Sequence, residues 1–417
     1  MKESKFYILT AIMVGAWLIA ACLFSEPNRD EPMSLRGLDI IALLKLASRI
    51  GTLGILVLVN AIAPAKTRLS AIVTMFLPLL VFLLWAIAST MWSPLRDVTL
   101  GQSFSLLVMV ALAMTLARFI DTTQDAIYVL SHLFLIVTVR GAVMIVVHWM
   151  LGGTGVTRDD FGVFHSTDAA ETAGLGMVMA FALFGFTRLR RFELLMLPAI
   201  VIHIALFAIA QNRLSLIVNA IVVAAVVWKT VSLRSIVGTT MCAACLFPVY
   251  IVADPGVKLI AEVFGVTSSY ANRGNADASE DLRTFSGRTD LWEIVWDEYM
   301  QSPLRGCGYF VTSHAGEIDV WGDVKNYTAH NQVLQLLSTT GLVGLTLFLM
   351  SLVLPFQRVV SAARELNMTG NIAKFSVAVI AWLLLWGLLN ESFCGPIGSA
   401  TIVYYTLLGI MLSSLKC

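Results

Sequence analysis

The stretch KNYTAHNQVLQLL, residues 325–337, passes from a polar loop directly into an apolar segment that continues to about Leu354. An apolar run of roughly 17 to 25 residues is long enough to cross a bilayer as an α-helix. The stretch therefore predicts that a membrane-spanning helix begins near Asn331. His330 would lie at the mouth of that helix, where an imidazole stays accessible to water.

The rest of the chain repeats this apolar pattern. It has 417 residues, of which 58% are hydrophobic and 13% are charged, and its mean hydropathy is +0.82. This composition is typical of a membrane protein with several spans. About twelve apolar runs are long enough to cross the bilayer. They lie near residues 6–24, 39–63, 69–92, 101–117, 127–151, 169–186, 194–210, 214–228, 236–253, 331–354, 372–389 and 396–415.

Lysine and arginine residues in the loops predict the orientation, because they favour the cytoplasmic side of a membrane. With the N-terminus inside, the cytoplasmic segments hold fourteen of them and the short outer loops hold five. Both termini are therefore predicted to be cytoplasmic. The predicted fold class is an all-α membrane protein with about twelve transmembrane helices and one long outer loop that carries short amphipathic helices.

The long loop divides the chain into three parts. Residues 1–253 would form helices one to nine, residues 254–329 the outer loop, and residues 330–417 helices ten to twelve. The loop holds twelve acidic and six basic residues, so its formal charge is −6. We therefore expect no nucleic-acid partner, because a nucleic-acid surface is basic.

Two stretches of the loop are candidates for function. TFSGRTDLWEIVWDEYM, residues 284–300, has helical spacing of apolar residues and predicts a short helix on the membrane boundary. Arg288 would lie at its N-terminus, where a guanidinium and unpaired backbone N–H groups both favour an anion. Alternatively, Arg288 pairs with Asp290, Asp281 or a lipid headgroup. SPLRGCGYF, residues 302–310, predicts a turn that approaches a ligand or simply reverses the chain.

Four further cations occupy unusual positions. Arg213, in AQNRLSL, lies in a very short outer connection, where it binds an anion or only snorkels to the interface. Lys45, Arg49 and Arg140 fall within predicted spans, where a charge needs a cavity or a partner. They could line a path for a lipid diphosphate or pair with neighbouring side chains.

His330 differs from the histidines inside apolar runs, because a loop–helix junction leaves its ring open to water. An unperturbed imidazole titrates near neutral pH, which suits proton transfer. Asn331 could cap the following helix, and the alternative is that the pair is only a cap. The sequence shows no cluster with metal-ligand spacing, so we expect neither a metal nor a cofactor.

The motifs SGRTDLW (286–292), PLRGCGY (303–309) and TAHNQVLQLLSTTGLVG (328–344) together resemble the O-antigen ligase and polymerase superfamily of bacterial envelopes. Further matches are RDDFGVFHSTD (158–168), which contains Arg158 and His165, and NRLSL (212–216). The sequence departs from the usual pattern at Asn212, where members usually have serine, and at Thr167 and Asp168.

The resemblance implies a GT-C-like glycosyltransferase of the bacterial inner membrane whose active site faces the periplasm. Its donor would be a glycan on undecaprenyl diphosphate, and its acceptor a sugar hydroxyl of lipid A-core or of a growing glycan. The reaction would be metal-independent and inverting.

In this interpretation His330 matches the essential histidine and acts as the base, and Arg288 and Arg213 match the diphosphate-binding arginines. The other candidates for substrate binding are Arg158, His165, Lys45, Arg49, Arg140 and Asn331. Two other functions stay open: a lipid-linked glycan flippase or other secondary transporter, and a glycoside hydrolase with two loop carboxylates.

Overall fold

A computed structural model describes residues 3–24, 40–65, 67–150, 164–183, 193–210, 212–227, 288–320, 323–365, 370–388, 390–394 and 397–413. Within these ranges the chain forms α-helices, one 3₁₀ turn at Ser89–Met91 and one antiparallel hairpin, β1 (Ile318–Val320) with β2 (Asp323–Lys325). The helices, numbered in chain order, are α1 (Glu3–Ala21), α2 (Ile40–Ile62), α3 (Leu69–Met75), α4 (Leu77–Ala88), α5 (Arg96–Phe119), α6 (Thr123–Met150), α7 (Ser166–Ala182), α8 (Glu193–Ala210), α9 (Arg213–Val227), α10 (Arg288–Gln301), α11 (Gln332–Glu365), α12 (Gly370–Gly387) and α13 (Ser399–Ser413).

The described helices confirm the all-α membrane class. Five of them are long and apolar enough to cross a membrane, or six if the bent pair α3 and α4 is one span, and four shorter helices are also apolar. The ninth predicted run, 236–253, lies outside the described residues. Twelve crossings therefore stay a prediction.

The core is built around α13, whose residues are all buried and which packs chiefly on α5. At the periphery, α2 buries only one stripe, at Ser48, Thr52, Leu56 and Val59. That spacing of three to four residues marks one helix face. The opposite face of α2 is apolar and exposed, which suits contact with lipid.

The third predicted run is bent. Its two halves, α3 and α4, meet at Phe76 at an angle of 74°. Pro78 lies in the first turn of α4, where its missing N–H costs no helical hydrogen bond. The sequence predicted an apolar run here, and the proline is the physical reason that the run is not one straight helix.

The predicted tenth span also contains a break, at Gly341 of α11, where φ is 69° and ψ is −175°. The turn formed by residues 303–308 docks into this break. Its carbonyls accept hydrogen bonds from α11, Leu342 N to Pro303 O at 2.8 Å and Val343 N to Leu304 O at 3.2 Å.

The same turn also donates to α11. Cys307 N binds Ser338 O at 2.8 Å, and Gly308 N binds Thr339 O at 2.9 Å. Trp85 of α4 supplies a third donor, from Nε1 to Thr340 O at 2.9 Å. Backbone groups at membrane depth need such partners, since water is absent from the bilayer core. The sequence left open whether the glycine-rich turn approaches a ligand or simply reverses the chain. In the structure it packs against the backbone of α11.

Two glycines make this contact possible. Gly341 and Gly306 both have φ of 69°, which favours residues without a Cβ. A Cβ at Gly341 would overlap the carbonyl of Leu304, and one at Gly306 would overlap the backbone at Thr339.

Gly341→Ala should destabilise the protein, because it adds both backbone strain and an overlap with the docked turn. Strain alone costs about 1 to 3 kcal/mol. The matched control is Gly54→Ala in α2, where a Cβ would meet nothing within 4 Å. Thermal unfolding in detergent should show a lower midpoint for Gly341→Ala than for Gly54→Ala. Equal midpoints would contradict the proposed importance of this contact.

Candidate functional site

His330 lies where the chain enters α11, in a left-handed backbone conformation with φ of 47°. Its side chain is 23% exposed. The ring atom Nδ1 lies 3.0 Å from Glu391 Oε2 and 3.2 Å from Asn390 Oδ1. A non-glycine residue with this φ is uncommon and is often held so by its surroundings.

The partners of the ring indicate its tautomer. An ionised carboxylate can only accept hydrogen bonds, so the proton between Glu391 and His330 belongs on Nδ1. In the neutral ring this leaves the lone pair on Nε2. A carboxylate that orients a histidine in this way is the arrangement found around a general base.

Glu391 is held as an anion. Burial alone would raise its pKa, but the charge of His330 and the hydrogen bonds from His330 and Thr328 outweigh burial and lower the pKa from 4.5 to about 2. The Thr328 hydroxyl donates to Oε1 at 2.7 Å. Because the pKa is lowered on folding, this pairing stabilises the fold above about pH 4.5 and is lost as the pH falls towards 2.

Asn331 caps α11. Its Oδ1 accepts hydrogen bonds from Val333 N at 3.0 Å and Leu334 N at 3.1 Å. The capping interpretation is therefore confirmed, and substrate binding by Asn331 stays a prediction. The cap fixes the first turn of α11 directly after His330.

Two glutamines hold the surroundings of His330. Gln332 Oε1 accepts from Ser392 N at 2.9 Å and Cys394 N at 3.3 Å, which ties α11 to the loop that carries Glu391. Gln335 Oε1 accepts from Ala329 N at 2.7 Å, directly before His330. The polar residues of HNQVLQ thus fix His330 and Glu391 relative to each other.

Helix α10 brings Arg288 towards the same loop. Arg288 is the first residue of α10 and is buried on one face with Leu291, Val295 and Tyr299. One turn further on, Trp292 Nε1 donates to Ala329 O at 2.8 Å, next to His330. Residues four apart share a helix face, so Arg288 lies one turn from this contact.

A helix is thus present where the sequence predicted one, and its first described residue is Arg288. The sequence placed this helix on the membrane boundary. Trp292 donates its indole N–H to a carbonyl within the protein, whereas Trp296 is 47% exposed.

A chain of contacts connects the Glu391 loop to helices α13 and α7. Thr401 Oγ1 donates to Ser392 O at 3.4 Å. At the start of α13, Ala400 N donates to Glu171 Oε1 of α7 at 2.9 Å. These contacts bring the N-terminal parts of α7, α11 and α13 to the same region.

Helix α9 joins this group. Ser215 Oγ donates to Ala170 O of α7 at 3.0 Å. Asn212 Oδ1 accepts from Ser215 N at 3.0 Å and caps α9, so asparagine fills the position where serine is usual. Arg213 is the first residue of α9. The structure describes the backbone of Arg213.

His165 and Arg140 lie beside the start of α7. His165 is the N-cap of α7, with Nδ1 accepting from Thr167 N at 3.2 Å. The Arg140 guanidinium donates to Leu23 O at 2.8 Å and lies 5.3 Å from the centre of the Phe164 ring. Both side chains therefore have structural contacts, and their substrate-binding roles stay predictions.

Two of the other predicted binding residues belong to a helix at the periphery of the fold. Lys45 and Arg49 lie on α2, which packs chiefly on α1 and α5. Arg158 lies outside the described residues.

Glu391 and Asn390 are the functional candidates that sequence reasoning missed. They follow directly after the apolar run 372–389, in NESFCGP, where an acidic residue at the end of a span was the available signal. Glu391 and Asn390 lie 61 and 60 residues after His330 in the chain, so it is the fold that brings them close to the histidine.

Together, these features define a multi-pass α-helical membrane protein with a histidine–carboxylate pair where a loop enters a helix. Residues 198–349 match the family model described as O-Antigen ligase. This match confirms the predicted resemblance to the O-antigen ligase and polymerase superfamily over that part of the chain, and it supports a ligase or glycosyltransferase type of activity in general. The matched segment contains Arg213, Arg288 and His330 and ends before Glu391. A comparison with curated proteins finds no match.

Trp292→Phe should weaken the connection between α10 and the His330 loop, because the carbonyl of Ala329 loses its donor. The loss of such a hydrogen bond costs about 1 kcal/mol. Trp296→Phe on the exposed side of α10 is the matched control and should change stability by less than about 0.5 kcal/mol. Thermal unfolding in detergent compares the two, and equal effects would argue against the connection.

Proposed function

We propose that the protein is an inverting, metal-independent glycosyltransferase that moves a glycan from undecaprenyl diphosphate to an acceptor sugar hydroxyl at the periplasmic face of the bacterial inner membrane. The observation that carries this proposal is the pairing of His330 Nδ1 with Glu391 Oε2 at 3.0 Å, at the junction of a loop and a membrane helix. At this junction a lipid-held donor and an acceptor sugar that is exposed to water can meet.

His330 acts as the general base. Its Nε2 takes the proton of the acceptor hydroxyl as that oxygen forms a bond to the anomeric carbon. The bond from this carbon to the diphosphate oxygen breaks, and the diphosphate leaves with the electron pair. A single displacement inverts the anomeric configuration. Glu391 stabilises the imidazolium that forms and keeps the ring in its orientation.

Arg288 and Arg213 bind the diphosphate. A guanidinium is permanently charged and binds phosphate oxygens through two parallel hydrogen bonds, so it stabilises the leaving group without a metal. Both arginines are the first residues of helices, α10 and α9. The N-terminal ends of helices add partial positive charge in the same place.

The substrates follow from this chemistry and from the family. Outside the cytoplasm no nucleotide sugar is available, so the donor must arrive already activated on a lipid. The acceptor is either lipid A-core, in a ligase, or a growing glycan, in a polymerase. The excess of basic residues in the predicted cytoplasmic segments supports an outer-facing site.

The first experiment replaces His330 with alanine in cells that otherwise lack the protein. We expect the variant to be present in the membrane but inactive, by at least about a hundredfold for loss of a general base. The measurement is the length of glycan carried on undecaprenyl diphosphate. Accumulated long chains indicate a ligase, and single repeat units indicate a polymerase. A wild-type pattern would refute the assignment of His330, and in that case a transporter would become the better interpretation.

Glu391→Gln tests the positioning role of the carboxylate. We expect kcat to fall by at least about tenfold, with little change in KM for the lipid-linked donor, because the charge that supports the imidazolium is lost. Glu391→Asp should recover part of the activity. Glu293→Gln, an exposed carboxylate on α10, is the control and should match the wild type. A change in KM alone would contradict this role.

A further inference from the structure

Three side chains that can bind metal ions lie close together in the segment that precedes His330. They are Glu298 on α10, Cys307 in the docked turn and His314 in the loop that follows it, and their ligand atoms all lie within 4.8 Å of one another. His314 Nδ1 is 3.0 Å from Glu298 Oε2 and 3.4 Å from Cys307 Sγ. None of these residues belongs to the proposed transferase site.

The separations suit a small tetrahedral ion. With zinc at about 2.0 to 2.3 Å from each ligand, tetrahedral angles place neighbouring ligand atoms about 3.4 to 3.6 Å apart. The distance of 3.4 Å between Cys307 Sγ and His314 Nδ1 agrees with this range. The distance of 3.0 Å between Glu298 Oε2 and His314 Nδ1 would have to increase by a few tenths of an ångström. One thiolate, one imidazole and one carboxylate are all ligands that zinc accepts.

We propose that Glu298, Cys307 and His314 form a binding site for one zinc ion, with a water molecule as the fourth ligand. Binding replaces the proton of the Cys307 thiol, which is released to solvent. The Cys307 side chain is buried, whereas that of His314 is 36% exposed, so an ion and its water can enter from the histidine side.

The position of the site indicates a structural role. Glu298 lies near the end of α10, and Cys307 N is bonded to Ser338 O of α11. An ion shared by Glu298, Cys307 and His314 would therefore brace α10 against the turn that fills the break in α11. A structural ion of this kind leaves the transferase chemistry at His330 metal-independent.

Two other interpretations of the cluster are a hydrogen-bond network and a reactive thiol. Glu298 Oε2 already accepts from the backbone N–H of His314 at 2.8 Å, which is sufficient to hold the loop without an ion. A reactive thiolate is disfavoured, because the Cys307 side chain is buried.

The test uses the full-length protein in detergent, first treated with a chelator and then titrated with cobalt(II). We expect one equivalent of cobalt to produce a thiolate-to-cobalt charge-transfer absorption, which zinc then displaces. Cys307→Ser should abolish this band, and His314→Ala should weaken cobalt binding by at least about tenfold. Cys22→Ser, at the end of α1, is the matched thiol control and should keep the band.

A second readout is thermal stability. Zinc should raise the unfolding midpoint of the wild type and of Cys22→Ser, but not that of His314→Ala. Should Cys307→Ser fail to fold, Glu298→Gln removes one ligand while it keeps a similar shape, and it should weaken cobalt binding by at least about tenfold. The proposal is overturned if no charge-transfer band forms, or if the band persists unchanged in Cys307→Ser or Glu298→Gln. Neither readout requires a glycan substrate, so both tests of the zinc site are independent of the proposed transferase activity.

Discussion

The exchange of backbone hydrogen bonds between residues 303–308 and the break in α11 is the contact on which the site depends. A helix interrupted at Gly341 leaves carbonyls and N–H groups without partners, and the turn supplies them on both sides of the break. The turn follows the end of α10, and α11 begins at Gln332, two residues after His330. This one contact therefore fixes the helix that begins with Arg288 relative to the helix that follows the histidine.

Capping residues serve a second purpose in this protein. Asn212, His165 and Asn331 each end a loop and satisfy the first N–H groups of a helix. Of the helices that they begin, α9 starts with Arg213, which is proposed to bind the diphosphate, and α11 starts two residues after His330. The same local chemistry that starts a helix thus gathers partial positive charge where an anionic leaving group is proposed to bind. Arg288 adds a full charge at the start of α10.

The sequence was a good guide wherever a feature is local. Apolar runs predicted the helices, and the helical spacing of apolar residues in the stretch 284–300 predicted α10. It was a poor guide wherever distant segments meet. The break at Gly341 could not be inferred, because TTGLVG also fits a continuous helix, and the partner of His330 lies 61 residues further along. The cluster of Glu298, Cys307 and His314 has no recognisable spacing for the same reason.

The separation of these contacts along the chain also bears on how the protein is assembled. The turn meets α11 across about 31 residues, since Cys307 N binds Ser338 O, whereas Glu171 meets Ala400 across 229. Short loops close at lower entropic cost and sooner than long ones. During synthesis, residues 303–308 are completed before α11. The turn is therefore available to bind the break in α11 as soon as that helix has been synthesised. In the proposed active centre, His330 is therefore synthesised before its partner Glu391, which lies 61 residues further along the chain.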